Sequence, residues 1–349
     1  MSVRYRPVQW NRSKVVYDTC LGVGVALYLL IYLRWAPGLV EPPLIGGAEL
    51  RMRAFGTCAF WMLTLILCIG PLARLDRRFL PVLYNRRHFG VLTFFVAVAH
   101  LYTVLGWYTA FSPIDPWVAL LGSNTDLSFL GFPFEWLGIA ALTVLFAMAA
   151  TSHDFWLAFL TPPVWKRLHM LVYAAYGLVV MHVTLGVLQA EASLAYGAMI
   201  GISLAVVAGL HVVAGRVEAR RDTAPVSDAD GWVQVARIDE LEDGVGRTVT
   251  LPGGERAAVF RHGDKISALS NACAHQNGPL GEGRILDGCV TCPWHGFQYD
   301  PETGRAPAPF TEKVATYRLR RDGDRLLIDP RALPPGTRTE PVRLAEAVS

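Results

Sequence analysis

Apolar residues fill the first two-thirds of the chain in long runs near 15–34, 54–73, 89–110, 136–151, 170–189 and 196–214. A helix needs about 20 apolar residues to cross a bilayer, so these runs predict six membrane helices, the fourth being the shortest. Polar and proline-bearing breaks separate them: Pro37, Pro42 and Pro43, then Arg74, Asp76, Arg77 and Arg78, then Pro113 and Pro116, Pro162 and Pro163, and Glu191. Beyond residue 230 the pattern changes to short strand-like segments. Trp232–Ala236, Arg247–Leu251, Ala257–Phe260, Lys265–Leu269, Cys289–Cys292, Thr316–Leu319 and Leu326–Asp329 read as strands. Leu251-Pro252-Gly253-Gly254 and Asp322-Gly323 read as turns. The expected organisation is an arm over 1–14, a membrane domain over 15–215, a polar linker over 216–230, a small antiparallel β domain over 231–330, and a disordered tail over 331–349 bearing Pro334, Pro335 and Pro341.

Composition agrees with the pattern. Hydrophobic residues make up 52% of the 349 positions and the mean hydropathy is +0.33, too apolar for an ordinary soluble enzyme. A net charge of +3 with no clustered basic stripe excludes a nucleic-acid footprint. Where the basic residues lie is more informative. Arg4, Arg6, Arg12 and Lys14, then Arg74, Arg77, Arg78, Arg86 and Arg87, then Lys166 and Arg167, then Arg216, Arg220 and Arg221 all fall on one side of a six-span layout. The other side has Arg34, Arg51 and Arg53, and its loops over 111–135 and 190–195 have no Lys or Arg. Short cytoplasmic loops are enriched in Lys and Arg. The expectation is therefore an inner-membrane, lipid-embedded protein with both termini cytoplasmic. The first apolar run is followed by Leu33-Arg34-Trp35 rather than a small-residue cleavage site, so it reads as a retained span.

Of six cysteines, Cys20, Cys58 and Cys68 lie in apolar runs, whereas Cys273, Cys289 and Cys292 share one polar segment. Cys273-Ala274-His275 is followed after sixteen residues by Cys292-Pro293-Trp294-His295. Each box supplies one thiolate and one imidazole, a donor set that holds a 2Fe-2S cluster with unequal irons, one on Cys273 and Cys292 and the other on His275 and His295. A zinc site also uses two cysteines and two histidines, but its usual order places the cysteines together. Asn271 to Tyr299 closely resembles the Rieske family, including Gly278-Pro279-Leu280 and Cys292-Pro293-Trp294-His295-Gly296. The respiratory subtype of that family adds a disulfide cysteine to each loop, where this chain has Gly278 and Trp294. Cys289 lies in the preceding strand and cannot replace them. That subtype's serine is here Phe297, while Tyr299 remains. The resemblance is to the ferredoxin-like subtype and implies an electron carrier of lower potential.

Ionisable side chains within a bilayer are costly and mark functional positions. His100 lies 12 residues past His88, and His182 lies 13 past His169. At about 1.5 Å per residue both sit roughly 18 to 20 Å from the cytoplasmic entry, at matching depth for one b-type heme iron. The plainer role for either histidine is a hydrogen bond between helices. Residues 50–215 resemble the ferric reductase-like transmembrane family, which includes the membrane subunit of the methionine sulfoxide reductase system. The similarity rests on Arg86-Arg87-His88-Phe89-Gly90 before His100, and on Trp165-Lys166-Arg167-Leu168-His169 with Tyr173 before His182. It implies a second, cytoplasm-side heme with His169 as one ligand. The positions expected for the other, 13 or 14 before His100, hold Arg87 and Arg86. His88 and His211 are the remaining candidates, and His153 and His262 read as loop and turn residues.

The expected fold class is thus a six-helix transmembrane bundle followed by a small all-β Rieske domain. No glycine-rich dinucleotide fingerprint follows a strand, so electrons would come from another protein, a cytoplasmic reductase or ferredoxin. The acceptor would be a periplasmic redox protein or quinone. No histidine follows the second box to build a mononuclear iron site. An electron conduit, a quinone-linked redox enzyme and a redox sensor all remain open at this stage.

Overall fold

The computed structural model describes residues 12–39, 46–79, 82–83, 85–111, 113–122, 134–152, 156, 160, 162–188, 194–221, 230–252, 254–275, 278–293 and 296–344. The chain separates into two compact units, Met1–Ala214 and Gly215–Ser349.

The first unit is helical: α1 (Arg12–Leu39), α2 (Gly47–Leu75), α3 (Arg86–Phe111), the short α4 (Pro116–Leu121), α5 (Glu135–Ala150), α6 (Pro162–His169), α7 (Val172–Val183), a π-helical turn over Thr184–Leu188, and α8 (Leu194–Arg221). Among the described residues five stretches are long and apolar enough to cross a membrane: Val15–Ala36, Gly47–Leu75, Arg86–Ala110, Val164–Gly186 and Leu194–Val217. The fourth predicted span is the 16-residue apolar helix Glu135–Ala150, too short to count with them. At 1.5 Å per residue it reaches about 24 Å, less than the ~30 Å of a hydrocarbon core. Helix α2 forms the centre, with 56% of its apolar window buried against none for α1. Its Phe60, Leu63 and Leu67 pack with Leu145 of α5, Ala175 and Tyr176 of α7, and Ile200 of α8. Helix α1 contributes polar links inward: the Tyr28 hydroxyl donates to Thr57 Oγ1 at 3.0 Å, and the Tyr32 and Tyr196 hydroxyls lie 3.3 Å apart. Its outer face shows Val23, Leu27 and Leu30, as expected of a helix bathed in lipid.

The second unit is all β. One sheet has the order β1-β10-β9 (Val233–Arg237, Arg325–Ile328, Leu319–Asp322), another β11-β4-β3-β2 (Val342–Arg343, Lys265–Ser270, Arg256–His262, Gly246–Thr250), with β8 (Thr316–Tyr317) also on β4. A third, β5-β6-β7 (Arg284–Leu286, Cys289–Thr291, Gln298–Tyr299), has Cys292 and Pro293 of the second Cys-and-His box directly after β6. Two apolar cores result: Val233, Val259, Ile266, Leu326 and Ile328 in one, and Phe260, Leu269, Leu280, Val290 and Tyr299 with Cys273 and Cys292 in the other. Each such fully buried side chain is worth about 1.5 to 3 kcal/mol.

The tail departs from expectation. Residues 331–344 are ordered: Leu333 N donates to Thr316 O, Gly336 N to Val314 O and Thr339 N to Glu302 O, and β11 then pairs with β4 through Val342↔Ile266 and Arg343↔Lys265. The prolines read as breakers sit in a strap whose backbone groups find partners on the β domain, so they shape its path without preventing order. The last five residues, 345–349, lie outside the described residues.

Candidate redox centres

His100 on α3 and His182 on α7 face each other with ring centres 6.4 Å apart and planes at 78°. Each Nδ1 is hydrogen-bonded to a main-chain carbonyl, Met52 O at 3.0 Å for His100 and Phe134 O at 2.9 Å for His182. A carbonyl can only accept, so each Nδ1 carries the proton and each Nε2 keeps its lone pair for a metal. In both cases the histidine follows its carbonyl partner by 48 residues. A glycine stands one helical turn after that carbonyl, Gly56 and Gly138. A Cβ at Gly56 would lie 2.9 Å from His100 Cε1, and one at Gly138 would lie 3.0 Å from His182 Cε1. The site is thus built twice over by the same device, α2 on α3 and α5 on α7. Sequence reasoning placed the two histidines but missed this frame, although the equal Gly-to-His spacing is visible in the sequence once a repeat is sought.

Both imidazoles line a cavity of about 340 Å³. Phe60, Leu63, Leu142 and Leu145 form an apolar part, and Arg53, Thr57, Tyr108, Glu135 and Tyr196 a polar part. Arg53 pairs with Glu49 and its guanidinium lies 5.9 Å from the Tyr196 ring centre. The Tyr108 hydroxyl donates to Glu135 Oε1 at 3.3 Å.

The other histidines are employed differently. His169 has Nδ1 on Trp165 O at 3.0 Å, its ring stacked on Trp165 at 3.8 Å, and a buried Nε2 with no hydrogen-bond partner. The Arg87 guanidinium lies 5.0 Å from the Trp165 ring centre. His88 binds both carboxylate oxygens of Asp18 at 2.9 Å. His211 has both nitrogens engaged, Nδ1 with Val207 O at 2.8 Å and Nε2 with the Tyr173 hydroxyl at 2.9 Å. His262 faces the Ser267 hydroxyl at 3.3 Å, and His153 lies outside the described residues.

In the β domain two loops converge. The first is closed by Cys273 N donating to Gly278 O, Leu280 N to Asn271 O and Gly281 N to Asn271 Oδ1. The second is closed by Cys292 N donating to Phe297 O and Gly296 N to Cys292 O. Gly296 turns the chain at φ +70, in the left-handed region that favours glycine. Cys273 and Cys292 are buried in one core, while His275 is half-buried with its ring parallel to that of Phe297 at 5.0 Å. The Tyr299 hydroxyl lies 3.3 Å from Cys273 Sγ, and burial first, then the neighbouring thiol, push Tyr299 far above the usual tyrosine range. Trp294 and His295 fall outside the described residues.

A family model described as the Rieske [2Fe-2S] domain matches residues 231–318, and one described as the ferric reductase like transmembrane component matches 55–180. The anthranilate 1,2-dioxygenase ferredoxin subunit of Burkholderia cepacia is 42% identical over 91 residues, 26% of this chain and 82% of the relative. The ferredoxin component of the naphthalene 1,2-dioxygenase system of Pseudomonas aeruginosa is 32% identical over 99 residues, covering 28% and 94%. This chain carries a Rieske [2Fe-2S] domain, and its residues 55–180 are similar to the ferric reductase like transmembrane component. Among solved structures, the ferredoxin of carbazole 1,9a-dioxygenase from Nocardioides aromaticivorans IC177 is 31% identical and covers 29% of this chain and 98% of its own, with a TM-score of 0.27. The two family-model matches support a 2Fe-2S cluster in the Rieske domain, are consistent with heme in the ferric reductase-like region, and make the chain a membrane redox protein that transfers electrons.

The residues present fit both groups. An imidazole nitrogen binds a metal at about 2 Å, so two imidazoles sharing one metal stand roughly 6 to 6.5 Å apart from centre to centre, the spacing found for His100 and His182. In the Rieske domain the two thiols are enclosed in an apolar core and the half-buried His275 has a buried Nδ1, a thiolate and imidazole donor set that suits a 2Fe-2S cluster with unequal irons.

Proposed function

We propose that the chain is a transmembrane electron conduit. Electrons would enter from a cytoplasmic reductase or ferredoxin at a 2Fe-2S cluster held by Cys273, His275, Cys292 and His295. They would leave through b-type heme, held by His100 and His182, to a periplasmic redox protein or quinone. The observation that carries this is the 6.4 Å separation of two imidazoles, each with Nδ1 locked by a carbonyl so that Nε2 keeps its lone pair. When bound, the two groups supply one-electron carriers, with neutral imidazole ligands raising the cluster's potential above an all-cysteine one. The chain's own residues orient and enclose. Met52 O and Phe134 O fix the tautomers, Gly56 and Gly138 leave room for the rings, and Arg53 offers a charge match for propionate carboxylates at the polar part of the cavity.

The one-sided distribution of Lys and Arg supports cytoplasmic termini and an inner-membrane location, with Glu135–Ala150 as the sixth crossing. Similarity to the ferredoxin components of two dioxygenase systems supports a carrier role for the Rieske domain. A quinone-linked exchange has one observation in its favour, the Tyr173 hydroxyl and His211 Nε2 paired at 2.9 Å, with Tyr173 exposed. The test uses inside-out vesicles, a membrane-impermeant reductant and heme absorbance. Heme should reduce, and Cys273→Ser should stop it. Reduction only from the periplasmic face, or a Cys273→Ser rate equal to the parent's, overturns the proposed direction. Reduction of the Cys273→Ser protein by added quinol selects the quinone-linked reading.

A further inference from the structure

We propose that Phe297 is a positioning residue for the Rieske cluster, setting the plane of the His275 imidazole from the opposite loop. The inference rests on the reading of His275 as a ligand. The Phe297 and His275 rings are parallel within 9° at a centre-to-centre distance of 5.0 Å, an offset stack. Phe297 is itself held on two further sides, edge-on to Phe310 at 5.0 Å and 63°, and tilted on Tyr299 at 5.3 Å and 51°. Its main chain is fixed as well, because its carbonyl accepts from Cys292 N at 2.8 Å and the next residue, Gln298, pairs with Thr291 of β6. A ring so confined cannot follow the imidazole if the imidazole turns.

Strand geometry makes this a paired device. Phe297 directly precedes β7 and lies two residues before Tyr299, on whose ring it rests, so the two side chains take the same side of the extended chain. Tyr299 meets Cys273 Sγ at 3.3 Å, while Phe297 meets His275. One strand leading out of the second loop therefore addresses both ligands of the first. In the respiratory subtype position 297 is the serine that bonds to sulfide; here the same position trades a hydrogen bond for an aromatic wall. That wall also lays apolar surface against the His275 imidazole. Each reduction adds one negative charge to the site, and water stabilises charge more than an apolar ring does. Removing the ring should favour the reduced form and release the imidazole plane.

The experiment compares Phe297→Ala, Phe297→Leu and Phe297→Trp in the full-length protein by EPR of the reduced cluster and by spectroelectrochemical titration. Phe297→Ala should broaden the EPR signal, shift its g-values and move the midpoint potential upward. Phe297→Trp, which restores a flat ring, should return both toward the parent. If Phe297→Ala fails to hold a cluster, Phe297→Leu decides, since it keeps apolar bulk without a stacking plane and should show the same EPR change. Parent g-values and potential in the Ala or Leu variant overturn the proposal. His275→Ala separates the underlying assumption: a persisting Rieske-type EPR signal there would refute the ligand reading, whereas its loss alongside unchanged Phe297 variants would refute positioning alone.

Discussion

Replacing Gly56 by Ala tests the construction of the heme site most directly, because it adds one methyl group and removes no ligand. The added Cβ would stand 2.9 Å from His100 Cε1, 3.1 Å from Nδ1 and 3.5 Å from Nε2. Carbon atoms pack at about 3.5 to 4.0 Å, so the imidazole must retreat by roughly 0.5 to 1 Å. Met52 O, on the same helix as Gly56, holds Nδ1 at 3.0 Å and resists that retreat. Any such motion changes the 6.4 Å separation from His182, the spacing that one shared metal requires. Overpacking of this kind costs about 1 to 3 kcal/mol, which at 1.4 kcal/mol per tenfold is about a 5- to 150-fold loss of heme affinity. Gly138→Ala should behave alike, its Cβ lying 3.0 Å from both Cε1 and Nδ1 of His182. Gly90→Ala and Gly177→Ala are the controls, since a Cβ there meets nothing within 4 Å. Alanine is favoured over glycine in a helix by about 1 kcal/mol, so without a steric role Gly56→Ala should be at least as stable as the parent. The assay is heme per protein after purification, with the low-spin α band as a measure of two-histidine ligation. Full heme content and an unchanged α band in Gly56→Ala would refute the argument.

Cofactor loss should separate by domain: Cys273→Ser or Cys292→Ser removes the 2Fe-2S EPR signal and spares heme absorbance, whereas His100→Ala or His182→Ala does the reverse. Hydrogen bonding to Lys265 at 2.9 Å holds the Glu302 carboxyl below its ordinary 4.5 against the cost of burial, with Arg338 adding to the effect. A folded-state pKa lowered in this way stabilises above about pH 4.5 and is lost as pH falls through the folded value. Glu302→Gln should therefore flatten the acid limb of thermal stability below pH 4.5 and change little at pH 7 in its slope. Truncation after Asp329 removes the strap bonds to Thr316, Val314 and Glu302 together with β11. It should lower the melting temperature of the Rieske domain by at least ~5 °C, and an unchanged melting curve would show that the strap carries no stability.

What could be read from the sequence was whatever is local or countable. Spans announce themselves by apolar length, the ligand boxes by two residue types at fixed spacing, and the matched depth of His100 and His182 by counting from two basic entries. Strands β5 and β7, of three and two residues, are too short to show a period of two. The strap's order depends on Thr316, Val314 and Glu302, partners far along the chain that no local pattern can reveal. Arg53 shows a subtler loss: counted among outer-side charges, it is a largely buried side chain of α2 lining the cavity. A membrane cation near a helix end is a loop charge or a site residue according to the helix face it occupies, and only packing decides which.

The same logic bears on heme number. His100 and His182 are equivalent in every respect the structure offers: carbonyl lock, cleared glycine, opposing ring. Thirteen residues earlier the equivalence fails, because His169 is answered by Arg87. His169 keeps its Nδ1 on a carbonyl and buries an unpartnered Nε2, half of the device used at the other level. The candidates for the other half are turned elsewhere, His88 onto Asp18 and His211 onto Tyr173. For His211 to bind iron through Nε2 it must give up the Tyr173 bond, while His88, whose Nδ1 holds Asp18, stands 12 rather than 13 residues before His100, a step that turns the helix face by about 100°. Breaking the His211 bond would leave the Tyr173 hydroxyl without that partner, at a cost of about 1 to 3 kcal/mol. The expected stoichiometry is therefore one heme of two-histidine type per chain, retained in His169→Ala. A pyridine hemochrome assay returning two hemes per chain, falling to one in His169→Ala, would refute this and show that the site at His169 recruits a second ligand.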